Sequence, residues 1–561
     1  MNNHRFLRFA AVLILLISTF TAAIAYDFEV DGIYYKISGT EAYVTSGNGY
    51  SGEIVIPESV NYNGTSYSVT RIDNRAFHGC NGVTSVVLPN TITDIGDYAF
   101  TRSSLSSLTI PNSVTRIGSF AFLGNPITSL SLGNSVTRIE HHAFQSCEQL
   151  PSVVFPSSLE FIGDDAFAIC PLLTSITIPK SVTVIGLGVF TGNQYCGSHI
   201  TNMIVEEGNP VYDSREGCNA IIETATNKLI SGCNNSVIPS SVKAIENRAF
   251  EGCWFLNSII IPNSVTSIGQ SAFAICKGLT SIEVDSNNVV YDSRGNCNAI
   301  IETTSNTLLY GCDNSTIPNT VSIIGEDAFR FYAVDSIFLP SSVITIGKSA
   351  FEYSGLSYIE IPNTVTSIGM RAFYSCGNLI SINLPNSITC IERETFYHCN
   401  RLRSVTIPNS VKTIASIAFQ YCWELKELTI GSGVESIGEN AFNNNYLIEE
   451  VNCLGTVPPA MLQSNVFNNA TYENGILHVP GQSKEAYRNA NYWNMFASIE
   501  GYRNDVNGDG IVSIKDVSAL IDMLLGGNTN ISDYPEADIN GDGIISIGDV
   551  TALVDILLMA S

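Results

Sequence analysis

Two twelve-residue stretches near the C-terminus, DVNGDGIVSIKD (505–516) and DINGDGIISIGD (538–549), space oxygen donors at positions 1, 3, 5, 9 and 12, with glycine at position 6. A hard cation such as Ca²⁺ takes six to eight oxygens, and a loop of this length can wrap it with side chains and one backbone carbonyl. In the first loop the donors would be Asp505, Asn507, Asp509, the Ile511 carbonyl, Ser513 through water, and Asp516. In the second they would be Asp538, Asn540, Asp542, the Ile544 carbonyl, Ser546 and Asp549. Gly510 and Gly543 allow the sharp turn. Residues 501–561 hold ten Asp/Glu against two Lys/Arg, so the acid is concentrated here. A merely solvated acidic tail would not repeat its spacing after 33 residues, nor follow each copy with an apolar stripe. Val517, Leu520, Ile521 and Leu524 fall at helical spacing, as do Val550, Leu553, Val554 and Leu557.

A regulatory EF-hand would carry a helix before each loop and usually Glu at position 12. Here GYRN and SDYPEA come before the loops, and Asp fills position 12. The segment 503–561 therefore resembles a type I dockerin, a duplicated loop-helix module that docks onto cohesin domains. The resemblance implies two structural Ca²⁺ ions and a cohesin-type protein partner. Without the ions the carboxylates repel, so metal-binding free energy becomes folding free energy. In that family, loop positions 10 and 11 help select the partner. Here they are Ile514-Lys515 and Ile547-Gly548, and the hydroxyl pair common in clostridial dockerins is absent.

The remaining chain is monotonous. Ala-Phe or a close variant places Phe at 77, 100, 122, 144, 167, 190, 250, 273, 329, 351, 373, 396, 419 and 442, mostly 22 or 23 residues apart. Each unit has an alternating stretch such as LTSITIP (173–179), the pattern of a half-buried strand. Proline then ends it, because it cannot donate to a ladder. SVTVIG supplies a second short extended piece, and AFxxC a tight helical turn with Phe inward. One such unit cannot bury its own apolar face, so the units must stack. The pattern over about 26–500 resembles the BspA-like leucine-rich repeat family. DFEVDGIYYKI and YSGEIVIPESV look like that family's N-terminal cap; VPPAMLQSNVF and LHVPGQSKEAYRNANYW look like its C-terminal cap. The resemblance implies a repeat solenoid with short parallel strands on one face, in proteins that are often secreted or surface-bound and sometimes bind host proteins. The organisation expected is a signal peptide at 1–25, the N-terminal cap and first repeat at 26–76, the solenoid at 77–450, a C-terminal cap at 451–500 and the dockerin-like α-helical module at 501–561.

Two solenoid units are longer, near 204–248 and 282–327, and their inserts match at 17 of 25 positions. Each insert reads as a hairpin, either kept in the stack as an altered coil or projecting to bind. Cys218 with Cys233, and Cys297 with Cys312, would face each other across those hairpins, and export permits disulfides. Eight other cysteines sit three residues after a repeat Phe, which makes a buried thiol column; no His joins it, so it does not read as a metal site. The outward strand column is a smooth face of Ser and Thr with Ile260, Phe338, Tyr358, Glu360 and Asn383 among them. Such a face suits a protein or glycan ligand, although hydroxyls also simply keep a strand soluble.

The chain of 561 residues has 14% charged residues and a net charge of −25, which argues against nucleic acid as partner. Arg5 and Arg8, the run AAVLILLISTF and Ala23-Ile24-Ala25 read as a secretory leader, and no later run is long and apolar enough to span a bilayer. None of His78, His141, His142, His199, His398 or His478 lies in a nucleophile or zinc motif. The function expected is a secreted or surface-attached bacterial binding protein, non-enzymatic, joined by its dockerin to a cohesin-bearing assembly. The alternative is a carbohydrate-active or peptidase component with an unrecognised active site.

Overall fold

The computed structural model describes residues 26–47, 49–502, 504–507, 512–531 and 534–559. The expected leader and two expected loop ligands, Asp509 and Ile511, lie outside the described residues. The chain divides into two compact units, Met1–Leu279 and Thr280–Ser561.

The first unit opens with antiparallel strands Phe28–Val30, Ile33–Ser38 and Glu41–Val44. The strand Thr65–Ile72 then starts a parallel stack that runs through Asp94–Ile95, Arg116–Ile117, Arg138–Ile139, Phe161–Ile162 and Val184–Ile185. Where a glycine follows a rung, as after Asp94–Ile95, Arg116–Ile117, Phe161–Ile162 and Val184–Ile185, it lies against the coil before. A Cβ on Gly118 would come within 2.6 Å of the Gly96 carbonyl carbon. Strands such as Ser107–Thr109 and Ser129–Ser131 pair in parallel on another side of the coils. In Ser175–Ile178 the Ile side chains are buried and Ser175 and Thr177 are exposed, as the alternation requires.

The second unit repeats this plan with rungs Ile323–Ile324, Thr345–Ile346 and Ser367–Ile368, then Cys390–Ile391, Thr413–Ile414, Ser436–Ile437 and Ala460–Met461. Its five-stranded parallel sheet is Ser404–Ile407, Glu427–Ile430, Glu450–Cys453, Ile476–Val479 and Ser498–Gly501. Tyr472, Trp493 and Phe496 pack around Phe467 and close the aromatic core.

The turn that carries the repeat Phe is not the helical turn expected from AFxxC. Residues two before and two after the Phe adopt left-handed backbone, for example Tyr98 (φ 59°) and Arg102 (φ 53°), or Ser349 (φ 53°) and Tyr353 (φ 56°). Such a conformation costs a non-glycine residue roughly 1–2 kcal/mol. It is held because it turns alternate N–H groups toward the next coil. Tyr98, Phe100 and Arg102 donate to the carbonyls of Ser119, Ala121 and Leu123. Ser349, Phe351 and Tyr353 do the same to Met370, Ala372 and Tyr374. The Phe rings stack face to face along the column, at 5.3 Å between Phe329 and Phe351 and 5.4 Å between Phe351 and Phe373.

The Phe carbonyl also takes a side-chain donor from the following coil. Cys276 Sγ donates to Phe250 O at 3.1 Å, Cys376 Sγ to Phe351 O at 3.1 Å and Cys399 Sγ to Phe373 O at 3.2 Å. Asn125 and Asn445 fill the same position and donate to Phe100 O and Phe419 O at 2.7 and 2.8 Å. The column position therefore calls for a small buried donor, and burial pushes the Cys376 and Cys422 thiols up to about 12, which keeps their protons in place.

Both inserts lie within the stacked sheets. Ile221–Glu223 and Lys228–Ser231 form an antiparallel hairpin, and Lys228–Ser231 continues in parallel to Ala244–Ile245. Ile300–Glu302 and Thr307–Tyr310 do likewise with Ile323–Ile324. Cys218, Cys233, Cys297 and Cys312, expected as two facing pairs, are free thiols in the structure. The ladder ends at Ile221↔Ser231 with a bulge, and left-handed Asn219 (φ 50°) turns the chain just after Cys218. Cys218 Sγ then donates to Ala220 O and Cys233 Sγ to Asn219 O, so the two thiols are committed to different carbonyls. Asn298 (φ 51°) does the same just after Cys297.

Two outcomes follow from this packing. Phe351→Ala should cost about 3–5 kcal/mol and raise hydrogen exchange in coils around 329–373 well before those at 404–453, because each coil touches only its neighbours. Alkylation of the native protein should label Cys80, Cys196 and Cys390 first, the three that are only partly buried. After unfolding without reductant, mass spectrometry should find all four insert cysteines labelled.

Candidate functional site

The C-terminal module is built on two helices, Ile514–Leu525 and Ile547–Met559. Val506, Val517, Leu520, Ala537, Ile545, Val550 and Leu553 form its core. Leu524, Val554 and Leu557 pack against that core, whereas Ile521, also expected on the inner stripe, is 39% exposed.

Each helix start doubles as a loop end. Ser513 caps the first helix by accepting from Lys515 N–H, and Asp516 Oδ2 accepts back from Ser513 N–H at 2.7 Å. Asp516 Oδ1 accepts from Asn507 N–H at 3.0 Å, which ties the start of the loop to its end. The second loop has the same closure: Asp549 Oδ2 accepts from Ser546 N–H at 2.7 Å and Oδ1 from Ile539 N–H at 2.8 Å. Both aspartates are fully buried. Position 12 thus serves the capping box and the loop together.

The second loop is described at every expected donor. Asp538 Oδ1 and Oδ2 accept from the N–H groups of Asp542 and Gly543, at 3.1 and 3.0 Å. Asn540 Oδ1 accepts from Asp542 N–H, and Asp542 Oδ1 from Ile544 N–H, both at 2.9 Å. Gly543 has φ +81°, a conformation that position 6 needs. Among the described residues no three His, Cys, Asp or Glu groups are gathered tightly enough to form a ready metal site. The donors are nevertheless all hard oxygens, turned into one loop by their own backbone. Each carboxylate oxygen that accepts an N–H keeps a second lone pair for a cation, so the donor set fits Ca²⁺. Asp505, Asn507, Ser513 and Asp516 supply the described part of the first loop, with Asp505 buried.

The expected docking residues are presented outward. Ile514 is 69% and Ile547 71% exposed, each at the first position of its helix, with Lys515 exposed and Gly548 half-buried beside them. Leu525 and Leu558 near the other helix ends are also exposed.

Sequence reasoning missed the attachment of this module. Glu536, within SDYPEA, has its carboxylate 3.5 Å from Lys484 Nζ, with both side chains largely buried. The Glu536 carbonyl accepts from Asn504 N–H, and Tyr502 N–H donates to Val479 O at the end of a cap strand. Burial pushes the Tyr502 phenol well up, with Cys453 and Asp505 adding to the shift. The signal in sequence was only a lone acid after Pro535, with no hint of its distant lysine.

On the solenoid, Ile260 is exposed in the first unit. In the second, Phe338 (74%) and Tyr358 are exposed, and the parallel register places Phe338 beside Glu360 and Glu360 beside Asn383. Among the histidines, His142 stacks on Phe120 at 4.3 Å and His141 Nδ1 lies 3.2 Å from Asp164 Oδ2. Among the described residues, no helix is long and apolar enough to cross a membrane.

Comparison with known proteins supplies the family. The profile of the BspA type leucine-rich repeat region matches in six copies, over 70–196, 222–304, 302–422 and 366–490. The profile of the dockerin type I domain matches 503–558. No curated protein matches. Among solved structures, a leucine-rich cell surface protein from Faecalibacterium prausnitzii is 27% identical, with a TM-score of 0.40, over 76% of this chain and 94% of that one. A leucine-rich repeat protein from Bacteroides ovatus is 24% identical over the same shares, with a TM-score of 0.30. The pneumococcal vaccine antigen PcpA is 17% identical over 85% of this chain and 98% of that one, with a TM-score of 0.39. The chain belongs to the BspA-type leucine-rich repeat family and ends in a type I dockerin domain.

Proposed function

We propose that this is an extracellular binding protein whose solenoid presents a ligand-recognition face and whose dockerin fastens it to a cohesin-bearing assembly. The observation that carries the reading is the pairing of two near-identical loop-helix units with exposed apolar side chains, Ile514 and Ile547, at matching positions. An exposed apolar residue rimmed by polar ones is what a protein partner buries. Two calcium ions would be structural, one per loop. Their positive charge would draw the carboxylates of Asp505 and Asp516, or of Asp538, Asp542 and Asp549, toward one centre that is otherwise repulsive. Ile514, Lys515, Ile547 and Gly548 would meet the cohesin. The difference between Lys515 and Gly548 would let it tell the two loop-helix units apart.

The solenoid's outward face, with Phe338, Tyr358, Glu360 and Asn383 in one region and Ile260 in the other unit, is the ligand-binding part of the proposal. The repeat fold itself is that of binding proteins, which favours a recognition role over catalysis. Export through the leader at 1–25 would bring the chain to the secreted or cell-surface fraction.

With residues 501–561 as bait, a pull-down from the producing organism's secreted and surface fractions should retain one partner in calcium and release it in chelator. In the full chain, Asp505→Ala combined with Asp538→Ala should abolish that retention and leave the solenoid's far-ultraviolet circular dichroism unchanged. Equal retention by mutant and parent would refute the docking role.

A further inference from the structure

The step between the first insert and the coil after it holds a cleft of about 490 Å³ in the first unit. Asn235 and Val237 line one side; Phe255, Asn257, Ser258 and Ile260 line the other. All six are exposed, and no charged residue contributes to the lining. In a chain of net charge −25 this is a local neutral surface built of amides, a hydroxyl and apolar faces.

The Phe255 ring is the feature the fold does not need. Its backbone N–H is bound by Asn234 Oδ1 at 3.0 Å, and Asn234 is itself locked by donating to Ser198 O and Ile200 O. The second insert makes the same step with Asp313 Oδ1 accepting from Ala333 N–H at 2.7 Å. Alanine satisfies that step, so a phenyl ring left 53% exposed at the first one is surplus to folding. The His199 ring meets it edge to face at 4.8 Å and steadies it. At the second insert a carboxylate, Asp313, stands where the amide of Asn234 stands at the first.

We infer that this cleft is a subsite for a neutral glycan, with a sugar ring laid against Phe255 and its hydroxyls bonded by Asn235, Asn257 and Ser258. The inference rests on the binding role proposed for the solenoid and names its ligand class. A pyranose offers one face of C–H groups, weakly positive, to the negative face of an aromatic ring. Its hydroxyls are donors and acceptors at once, which amides match with a C=O and an N–H on one plane. An ionic ligand finds no counter-charge in this lining. An extended peptide is gripped mainly by main-chain pairing along a strand edge, whereas the exposed lining here offers a ring face at Phe255 and side-chain polar groups at Asn235, Asn257 and Ser258. Its volume is within the range of small-molecule sites, about 300–1,000 Å³.

The test uses the full calcium-loaded chain and saturation-transfer NMR with cellohexaose, xylohexaose, mannohexaose and chitohexaose, alongside an anionic hexagalacturonate. At least one neutral hexamer should bind, with the galacturonate weaker. Phe255→Ala should weaken that binding roughly tenfold, Asn257→Ala should weaken it as well, and Val457→Ala, at an exposed position outside the proposed binding face, should leave it unchanged. Phe255 is exposed, so its variant should keep the parent's circular dichroism. No neutral hexamer bound, or one bound equally by Phe255→Ala, overturns the assignment. If a protein partner is then captured through the face bearing Phe338, the binding role survives and the glycan subsite alone falls.

Discussion

Everything in the repeat region depends on how one short turn satisfies its backbone. A buried turn exposes N–H and C=O groups that water cannot reach, and each unpaired group is expensive. This chain solves the problem by placing left-handed residues two before and two after most of the repeat Phe residues. Alternate N–H groups then reach the next coil, and the rest bond within the turn, as Ala99 does to Gly96 and Thr101 to Tyr98. The strain at Tyr98, Arg102 or Ser349 is accepted because coil-to-coil bonding replaces solvent. The stacked phenyl rings fill the space those turns enclose, and Cys or Asn at the column position supplies the carbonyl's remaining donor.

Much of this was legible in the sequence. The Phe period gave the coil length, and the alternation in LTSITIP gave the exposed and buried sides of its strand, because both are direct projections of backbone geometry. The dockerin module was legible for the same reason: its two loops repeat residue types at fixed offsets. What could not be read was conformation without a residue signature. Left-handed backbone at Phe120, Ile169 or Tyr421 is imposed by neighbouring coils, and none of these residue types advertises it. A cysteine column looked merely apolar, since a thiol's donor role shows only when its acceptor is known. Equal spacing made Cys218 and Cys233 look like partners, but the carbonyls their thiols face, Ala220 O and Asn219 O, are set by local backbone geometry and not by composition. The long-range pair Lys484 and Glu536 left no periodic trace at all.

The C-terminal module joins two economies of structure. Asp516 and Asp549 close a loop and cap a helix with the same carboxylate, so loop closure and helix initiation are one event. The module is also not simply tethered, because Glu536 and Asn504 bond to each other and Glu536 reaches the cap's Lys484. A partner held at Ile514 or Ile547 would therefore act on a dockerin whose seat on the repeat cap is defined within the second unit.

The direction of the turn bonds has an electrical meaning. In the peptides joining Asp97–Tyr98, Ala99–Phe100 and Thr101–Arg102, the carbonyl points to the preceding coil and the N–H to the following one. The same orientation recurs from Asp327 through Phe442 in the second unit. Aligned peptides each carry a dipole of about 3.5 D and sum along a helix; here they sum along a column of turns instead. The resulting field has its positive end toward the C-terminal coil of each column, the reverse of the sense in an α-helix. Each coil therefore carries opposed backbone dipoles on different sides, because rung amides such as Gly96 and Gly118 point back to Ile72 O and Ile95 O.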